Sequence, residues 1–436
     1  MNEEFLQNAL PFICHTISIL VDGVNHNMQI HSHQRPLRIY LVHQDPNIIG
    51  LITNELKTSG HIMSSTDNVN DALIQVNRLK PDYVLIDQQI PTEQIKELCK
   101  SNQYKVIILS LDPSNKNISP YKSGAHGCIY QISSHIELFT VQLNRIIEDK
   151  IDIEFWGVTG AFPAPGKDFV KYGGHTSCVT LNFVNERTII LDAGSGIIPL
   201  GNELITKNQH SIEADIFITH EHWDHIHGLT FFKPLYHPGN LFNFYGPPQG
   251  VKSVHELLSG LMDGIYFPVK IDSLPSTISY HDLMADQNFE IDNIKIATIA
   301  LQHPCATYGY KIQYNNKIIS YITDNELYDK SYHLYDADFV HNLIQFTMDS
   351  DILIVDCAFT DEEYDAGRVS WGHSCPRQIS EFAYLTNAKQ LILHHNDHHE
   401  TDDIVDAKLI ATQKLLKKFG SDIKCIAPVY RQILRV

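Results

Sequence analysis

The chain has 436 residues, 43% of them hydrophobic, enough for two or three globular domains and too apolar for a disordered tail. A formal charge of −18, from 51 acidic against 33 basic residues, repels nucleic acid and anionic membranes, so any phosphate-bearing substrate must be drawn in locally, for example by metal ions. Eight cysteines without a C-x-x-C pair suit reduced, mostly buried thiols in a cytoplasmic protein better than a disulfide framework. At the start, "ALPFICHTISILV" (9–21) follows Glu3 and Glu4 rather than basic residues and is too short to span a bilayer. It reads as a docking or dimerisation helix, with no membrane partner, and "DGVNHNMQIHSHQRP" completes a 1–36 segment as a linker.

From Leu37 the pattern is α/β. "LRIYLV", "PDYVLID" and "KVIILS" are short buried-strand runs of the parallel kind, and "PNIIGLITNELKTSG" has helical spacing of its apolar positions. Alternation of such elements predicts a doubly wound sheet. The order, with "PDYVLIDQQIP" in the middle and "YKSGAHGCIY" late, resembles a response-regulator receiver domain over residues 37–148. By that resemblance Asp87 occupies the phosphoacceptor position and Ser110 the hydroxyl position. The family's acidic pair falls on His43 and Gln44, leaving only Asp45, and its lysine falls on Gln131. A pocket without those charges supports neither Mg²⁺ binding nor phosphoryl transfer, so the reading is a pseudo-receiver that binds a signalling partner.

Past residue 150 the pattern changes again. "CVTLNFVNERTIILDAG" and "TYGYKIQYNNKIISYITD" read as hairpins, while "VKSVHELLSGLM", "CPRQISEFAYLTNA" and "DAKLIATQKLLKKFG" have helical spacing. Hairpins mixed with helices over residues 153–436 predict an α/β sandwich. Its apolar runs end alike: "TIIL" is followed by Asp192, "IFIT" by His220, "IATIALQ" by His303, "IISYIT" by Asp324, and "LIL" by His394 and His395. Ligands at the same ends of neighbouring strands converge on one edge of a sheet, where a rigid scaffold fixes their geometry. In "THEHWDHIHG", His220 and His222 are two apart and point the same way in extended chain, and Asp224 with His225 can face a second ion. Imidazole nitrogen and carboxylate oxygen suit Zn²⁺, with Mn²⁺ or Fe²⁺ as alternatives.

The H-x-H-x-D-H motif of His220, His222, Asp224 and His225, with "LDAGSG", the histidine of "LQHP", the aspartate of "YITDNE" and the histidine of "LILHH", resembles the metallo-β-lactamase superfamily. The contexts "YGGHTSC", "HPCATYGYKI" and "WGHS" are most similar to its phosphodiesterase branch, which includes the transfer-RNA 3′ endonucleases (tRNase Z) and cyclic-nucleotide phosphodiesterases. The resemblance implies an αββα sandwich and two divalent metal ions. One takes His220, His222 and His303, the other Asp224, His225 and His395, with Asp324 bridging both. Asp192 is expected to orient a ligand histidine, and Asp224 and His373 are the candidate catalytic residues, His373 as proton donor to the leaving oxygen. His394 is the alternative to His395. His227, His398 and His399 read as neighbours or surface groups.

Two such cations can share a hydroxide and clamp phosphoryl oxygens, which implies a phosphodiesterase. The short span from His303 to Asp324 and the acidic charge favour a small, cyclic nucleotide-like diester over transfer RNA. Transfer-RNA 3′ processing and a non-catalytic signalling scaffold are the alternatives. A homodimer is implied by the branch.

Overall fold

The computed structural model describes residues 36–101, 103–110, 123–130, 136–184, 187–207 and 211–436. The apolar segment 9–21, the linker up to residue 35 and Gln131 lie outside the described residues. Among those described, no helix is long and apolar enough to cross a membrane.

Strands β1 (Arg38–Val42), β2 (Ile62–Thr66), β3 (Tyr83–Asp87), β4 (Lys105–Ser110) and β5 (Gly127–Tyr130) form one sheet in the order β2-β1-β3-β4-β5. The β1–β2 and β4–β5 pairs are parallel. Every residue of β3 is buried, which is why "YVLID" is a continuous apolar run rather than an alternating one. Asp87 and Ser110 end the adjacent strands β3 and β4, and both are buried. Asp45 has a local role: its carboxylate accepts from the Asn47 amide at 2.8 Å and caps the helix Pro46–Thr58.

The chain divides into two compact units, and the larger contains two seven-stranded sheets. Their strands in chain order are β6 (Asp152–Gly157), β7 (Cys178–Asn182), β8 (Thr188–Leu191), β9 (Glu213–Phe217), β10 (Leu241–Gly246), β11 (Thr277–Asp282), β12 (Asn288–Ile291), β13 (Ile294–Ala300), β14 (Tyr308–Tyr314), β15 (Lys317–Ile322), β16 (Ile352–Asp356), β17 (Gln390–His394), β18 (Lys424–Ile426) and β19 (Ile433–Arg435). One sheet runs β11-β10-β9-β8-β7-β6-β19, the other β12-β13-β14-β15-β16-β17-β18. Both expected hairpins form: β7 pairs antiparallel with β8, and β14 with β15 about Asn315 in the left-handed region.

Alternation along the strands sorts the core. Val179, Leu181, Ile189, Leu191 and Phe217 face the second sheet and pack with Ile312, Tyr321, Leu353 and Leu393 in one cluster. Cys178, Ile190 and Ile216 point the other way and meet Ile197, Leu200 and Leu258 of the covering helices. On the far side, helices Pro376–Thr386 and Asp402–Lys418 contribute Ile379, Phe382, Val405 and Leu416. The result is helices, sheet, sheet, helices, as the α/β sandwich reading expects.

Register positions the site. β8 and β9 are parallel with Leu191 beside Phe217, and β15, β16 and β17 are parallel with Ile322 beside Val355 and Asp356 beside His394. β13 and β15 both run antiparallel to β14, so they also share a direction. The ends of the strands that precede Asp192, His220, His303, Asp324 and His395 are thereby brought to one edge.

Candidate metal centre

The loop that carries H-x-H-x-D-H is built by backbone close packing. Ala193 N–H donates to the His225 carbonyl at 2.7 Å and Gly228 N–H to the Ala193 carbonyl at 3.1 Å. A Cβ on Gly194 would stand 2.1 Å from the Asp224 oxygen, and one on Gly228 would stand 2.0 Å from the Gly194 oxygen. Those distances require glycine in both "LDAGSG" and "HIHGL". Gly160 does the same for His395, whose ring lies 2.2 Å from the Cβ position. Asp192, Asp324 and His395 all leave their strands with φ of 58–59°, a left-handed conformation that costs energy in non-glycine residues and concentrates at functional sites.

All seven expected ligands gather here. His220, His222 and His303 form one cluster, with ring centroids 4.4, 4.8 and 4.9 Å apart. Asp224, His225 and His395 form another, with Asp224 Oδ2 3.3 Å from His225 Nε2 and 3.0 Å from His395 Nε2. Asp324 stands between them: one oxygen is 3.2 Å from His395 Nε2 and 3.7 Å from His220 Nε2, the other 3.2 Å from His225 Nε2.

Each ring turns one nitrogen to the centre, and four of the five give the other an outward partner. His225 Nδ1 faces Asp192 Oδ2 at 2.9 Å, His220 Nδ1 faces Thr219 Oγ1 at 3.1 Å, and His303 Nδ1 faces the Gly372 carbonyl at 3.0 Å. His222 is reversed: its Nδ1 lies 3.1 Å from His303 Nε2, and its Nε2 faces Cys305 Sγ at 3.6 Å. Outer partners of this kind fix the tautomer and leave a lone pair free inward. Asp192 is itself held by the Thr219 amide at 2.8 Å and the Tyr321 hydroxyl at 3.0 Å.

Electrostatics sharpen the picture. Burial pushes His220 well below the ordinary imidazole value, lowers His222, and takes His303 to about 4, so these rings are neutral donors. Burial alone would raise Asp224 and Asp324, but the surrounding histidines hold both well below the usual carboxylate range. The same carboxylates raise His225 and His395 against the opposing effect of burial. His220 Nε2 is buried with no hydrogen-bond partner. The neutral inward nitrogens of His220, His222 and His303, beside two buried carboxylates that draw positive charge onto His225 and His395, are a donor set that fits divalent cations.

His373 stands beside this cluster, its ring stacked on His395 at 4.9 Å. Its Nδ1 meets Asp356 Oδ2 at 2.6 Å, and Asp356 ends β16. Burial would lower this imidazole, but the Asp356 carboxylate raises it to about 9. Asp224 Oδ2 accepts the Ala161 amide at 2.7 Å. His394 instead turns Nε2 to the Gly157 carbonyl at 3.2 Å and its ring to Tyr321. His227 Nδ1 meets the Trp223 carbonyl, and His398 and His399 lie against Asp397.

Three further residues contribute that the expected ligand set does not include. Cys305 is a neighbour of His222 rather than a packing residue, and its place two positions after His303 was the available signal. Asp356 has a defined partner, where strand-end alignment with Asp324 and His394 could have suggested one. Glu326, buried, accepts from the Tyr364 hydroxyl and from the Ser370 and Gly372 amides, each at 2.7 Å, and so fixes the loop that delivers His373. No spacing pattern marks it.

Residues 187–396 match a family model described as a beta-lactamase superfamily domain. Ribonuclease Z of Picrophilus torridus is 23% identical over 290 residues, 57% of this chain and 87% of that protein. Ribonuclease Z of Clostridioides difficile is 25% identical over 287 residues, 56% of this chain and 88% of that protein. Among solved structures, the metallo-β-lactamase fold protein YhfI from Bacillus subtilis superposes with a TM-score of 0.45 at 16% identity, covering 66% of this chain and 100% of that one. The short form of human tRNase Z gives 0.41 at 20% identity, covering 65% and 98%.

The outward partners generate a test. Asp192→Asn keeps the shape but removes the carboxylate behind His225, and should weaken metal retention by about 10- to 100-fold in competition with a chromogenic chelator. Unchanged retention would mean that His225 needs no orienting anion.

Proposed function

Taking as premise the β-lactamase superfamily domain over residues 187–396, we propose that this metal-dependent hydrolase is a dinuclear phosphodiesterase acting on a small, cyclic nucleotide-like diester. The observation that carries the reading is the Asp324 carboxylate, buried and shared between two groups of imidazoles. In this reading His220, His222 and His303 hold one ion and Asp224, His225 and His395 the other, with Zn²⁺ the best match to the donors and Mn²⁺ or Fe²⁺ as alternatives. Two divalent cations there would supply Lewis acidity toward phosphoryl oxygens and a lowered pKa for water.

The chain's own residues do the rest. His373, held protonated by Asp356, donates its proton to the leaving oxygen. Asp224, kept ionised and anchored by the Ala161 amide, is our assignment for the carboxylate that accepts a hydrogen bond from the attacking water and orients it. Asp192 holds His225 in one tautomer throughout. We read residues 37–148 as a receiver-like interaction module for a signalling partner, residues 153–436 as the hydrolase domain, and the assembly as a homodimer.

Transfer-RNA 3′ processing is the second reading, supported by the curated relatives named Ribonuclease Z. Two features favour the smaller substrate. His303 and Asp324 are joined by the single short hairpin of β14 and β15, with no room for an arm that grips RNA, and the net charge is −18.

Purified protein offered cyclic mononucleotides, cyclic dinucleotides and a precursor transfer RNA should hydrolyse a cyclic nucleotide and stop when a chelator is added; cleavage of the RNA alone would reverse the preference. His222→Ala should lose metal, read by elemental analysis, together with activity. His373→Ala should keep its metal while turnover falls about 10²- to 10⁴-fold. Asp356→Asn removes the carboxylate that raises His373, so the acid loses its proton at lower pH and the basic limb of the kcat profile should move to lower pH than in the wild type. A limb that stays in place would assign the proton to another group.

A further inference from the structure

Three large exposed aromatic residues stand one position from the centre. Phe162 follows Ala161, Trp223 lies between His222 and Asp224, and Trp371 precedes Gly372, with exposures of 62%, 66% and 51%. Each forgoes the stabilisation that burial of a large apolar ring would bring. Trp371 is the one whose surroundings are built.

Its two neighbours are anchored by the same buried carboxylate, because Glu326 accepts the amides of both Ser370 and Gly372. Gly372 has φ +87°, and a Cβ there would stand 2.3 Å from His303 Nδ1, so the backbone lies flat against a ring of the centre. The indole is thus presented from a fixed main chain. Over it sits Arg368, with Cζ 4.1 Å from the Trp371 ring centroid and 5.5 Å from that of Phe359. Phe359 in turn is 5.7 Å from the His373 ring. The stack therefore adjoins the proton donor.

The charge of Arg368 is the second observation. Arg187, Arg377, Arg431 and Arg435, the other arginines beyond residue 150, each hold at least one carboxylate. Among the described residues none pairs with the Arg368 guanidinium, in a chain with 51 acidic side chains. A cation lying on an indole, left without an anion and held next to a phosphate-directed centre, has the chemistry to take a flat, electron-rich ring that carries a phosphate.

We propose that Trp371 and Arg368 form the nucleobase-recognition pair of this enzyme, stacking a purine or pyrimidine whose phosphodiester lies at the metal centre. The assignment rests on the phosphodiesterase reading for the identity of the reaction, and on the stack itself for the class of ligand. It makes the substrate a nucleotide rather than a sugar or lipid phosphodiester.

Binding of AMP and of ribose 5-phosphate to the full-length protein as purified, followed by calorimetry, separates the base from the phosphate. The wild type should prefer AMP by about tenfold or more, with Trp371→Ala and Arg368→Ala each lowering AMP affinity about 10- to 100-fold and levelling the two ligands. Trp371→Phe should recover most of the loss. The chain has three tryptophans and Trp156 is buried, so Trp223→Phe leaves Trp371 as the exposed indole whose fluorescence AMP should quench. Equal affinities for the two ligands in the wild type, or a folded Trp371→Ala that binds AMP undiminished, would overturn the proposal. Diester cleavage without base-dependent binding removes the recognition pair and leaves the phosphodiesterase reading; base-dependent binding in a protein that cleaves no diester does the reverse.

Discussion

The carboxylate of Asp324 is the constraint around which the centre is organised. A buried anion is tolerated only when positive charge or hydrogen-bond donors surround it, and here imidazoles approach both of its oxygens. Those imidazoles come from loops after β9 and β17, so satisfying one carboxylate ties the two sheets together at their shared edge. The outward partners extend the constraint by one layer. Asp192 answers to Thr219 and Tyr321, and the Gly372 carbonyl that orients His303 belongs to a loop held by Glu326. Moving any one of these groups leaves a polar atom buried without its complement, which explains why the arrangement is closed rather than merely crowded.

Much of this was legible because the signal was positional. A run of β-branched residues followed at once by histidine or aspartate, repeated along the chain, states both the strand and where it stops. Parallel register then does the convergence, as with Leu191 beside Phe217 and Asp356 beside His394. The hairpins were legible for a similar reason, since Asn315 and Asn316 supply the turn between two alternating runs. The glycines of "LDAGSG" and "HIHGL" were readable as motif, but their cause, backbone against backbone, emerges only from the packing.

What could not be read lies in groups that act across the chain without a local pattern. Glu326 and Asp356 work through partners 38 to 46 and 17 positions away. Lys408 is buried in the helix Asp402–Lys418, where a sequence reading places a solvated lysine. Its ammonium instead donates to the Cys357 carbonyl at 2.5 Å and pairs with the buried Glu400. The Lys408 ammonium thereby links the last long helix to the segment just after Asp356, and binary patterning has no way to announce it because both Lys408 and Glu400 look like surface. Cys305 was invisible for the opposite reason: thiols pack well almost anywhere, so composition assigned it the commoner role.

The first and last strands of the sandwich are neighbours, because β19 lies antiparallel to β6 with Ile433 beside Glu154 and Arg435 beside Asp152. A ribosome therefore releases the opening strand of that sheet long before its edge partner exists. The motif histidines emerge earlier than His395, and Lys408 later still. The ligand set and the sheet border therefore each depend on segments far apart in the chain, and neither is complete until both of its distant parts are present.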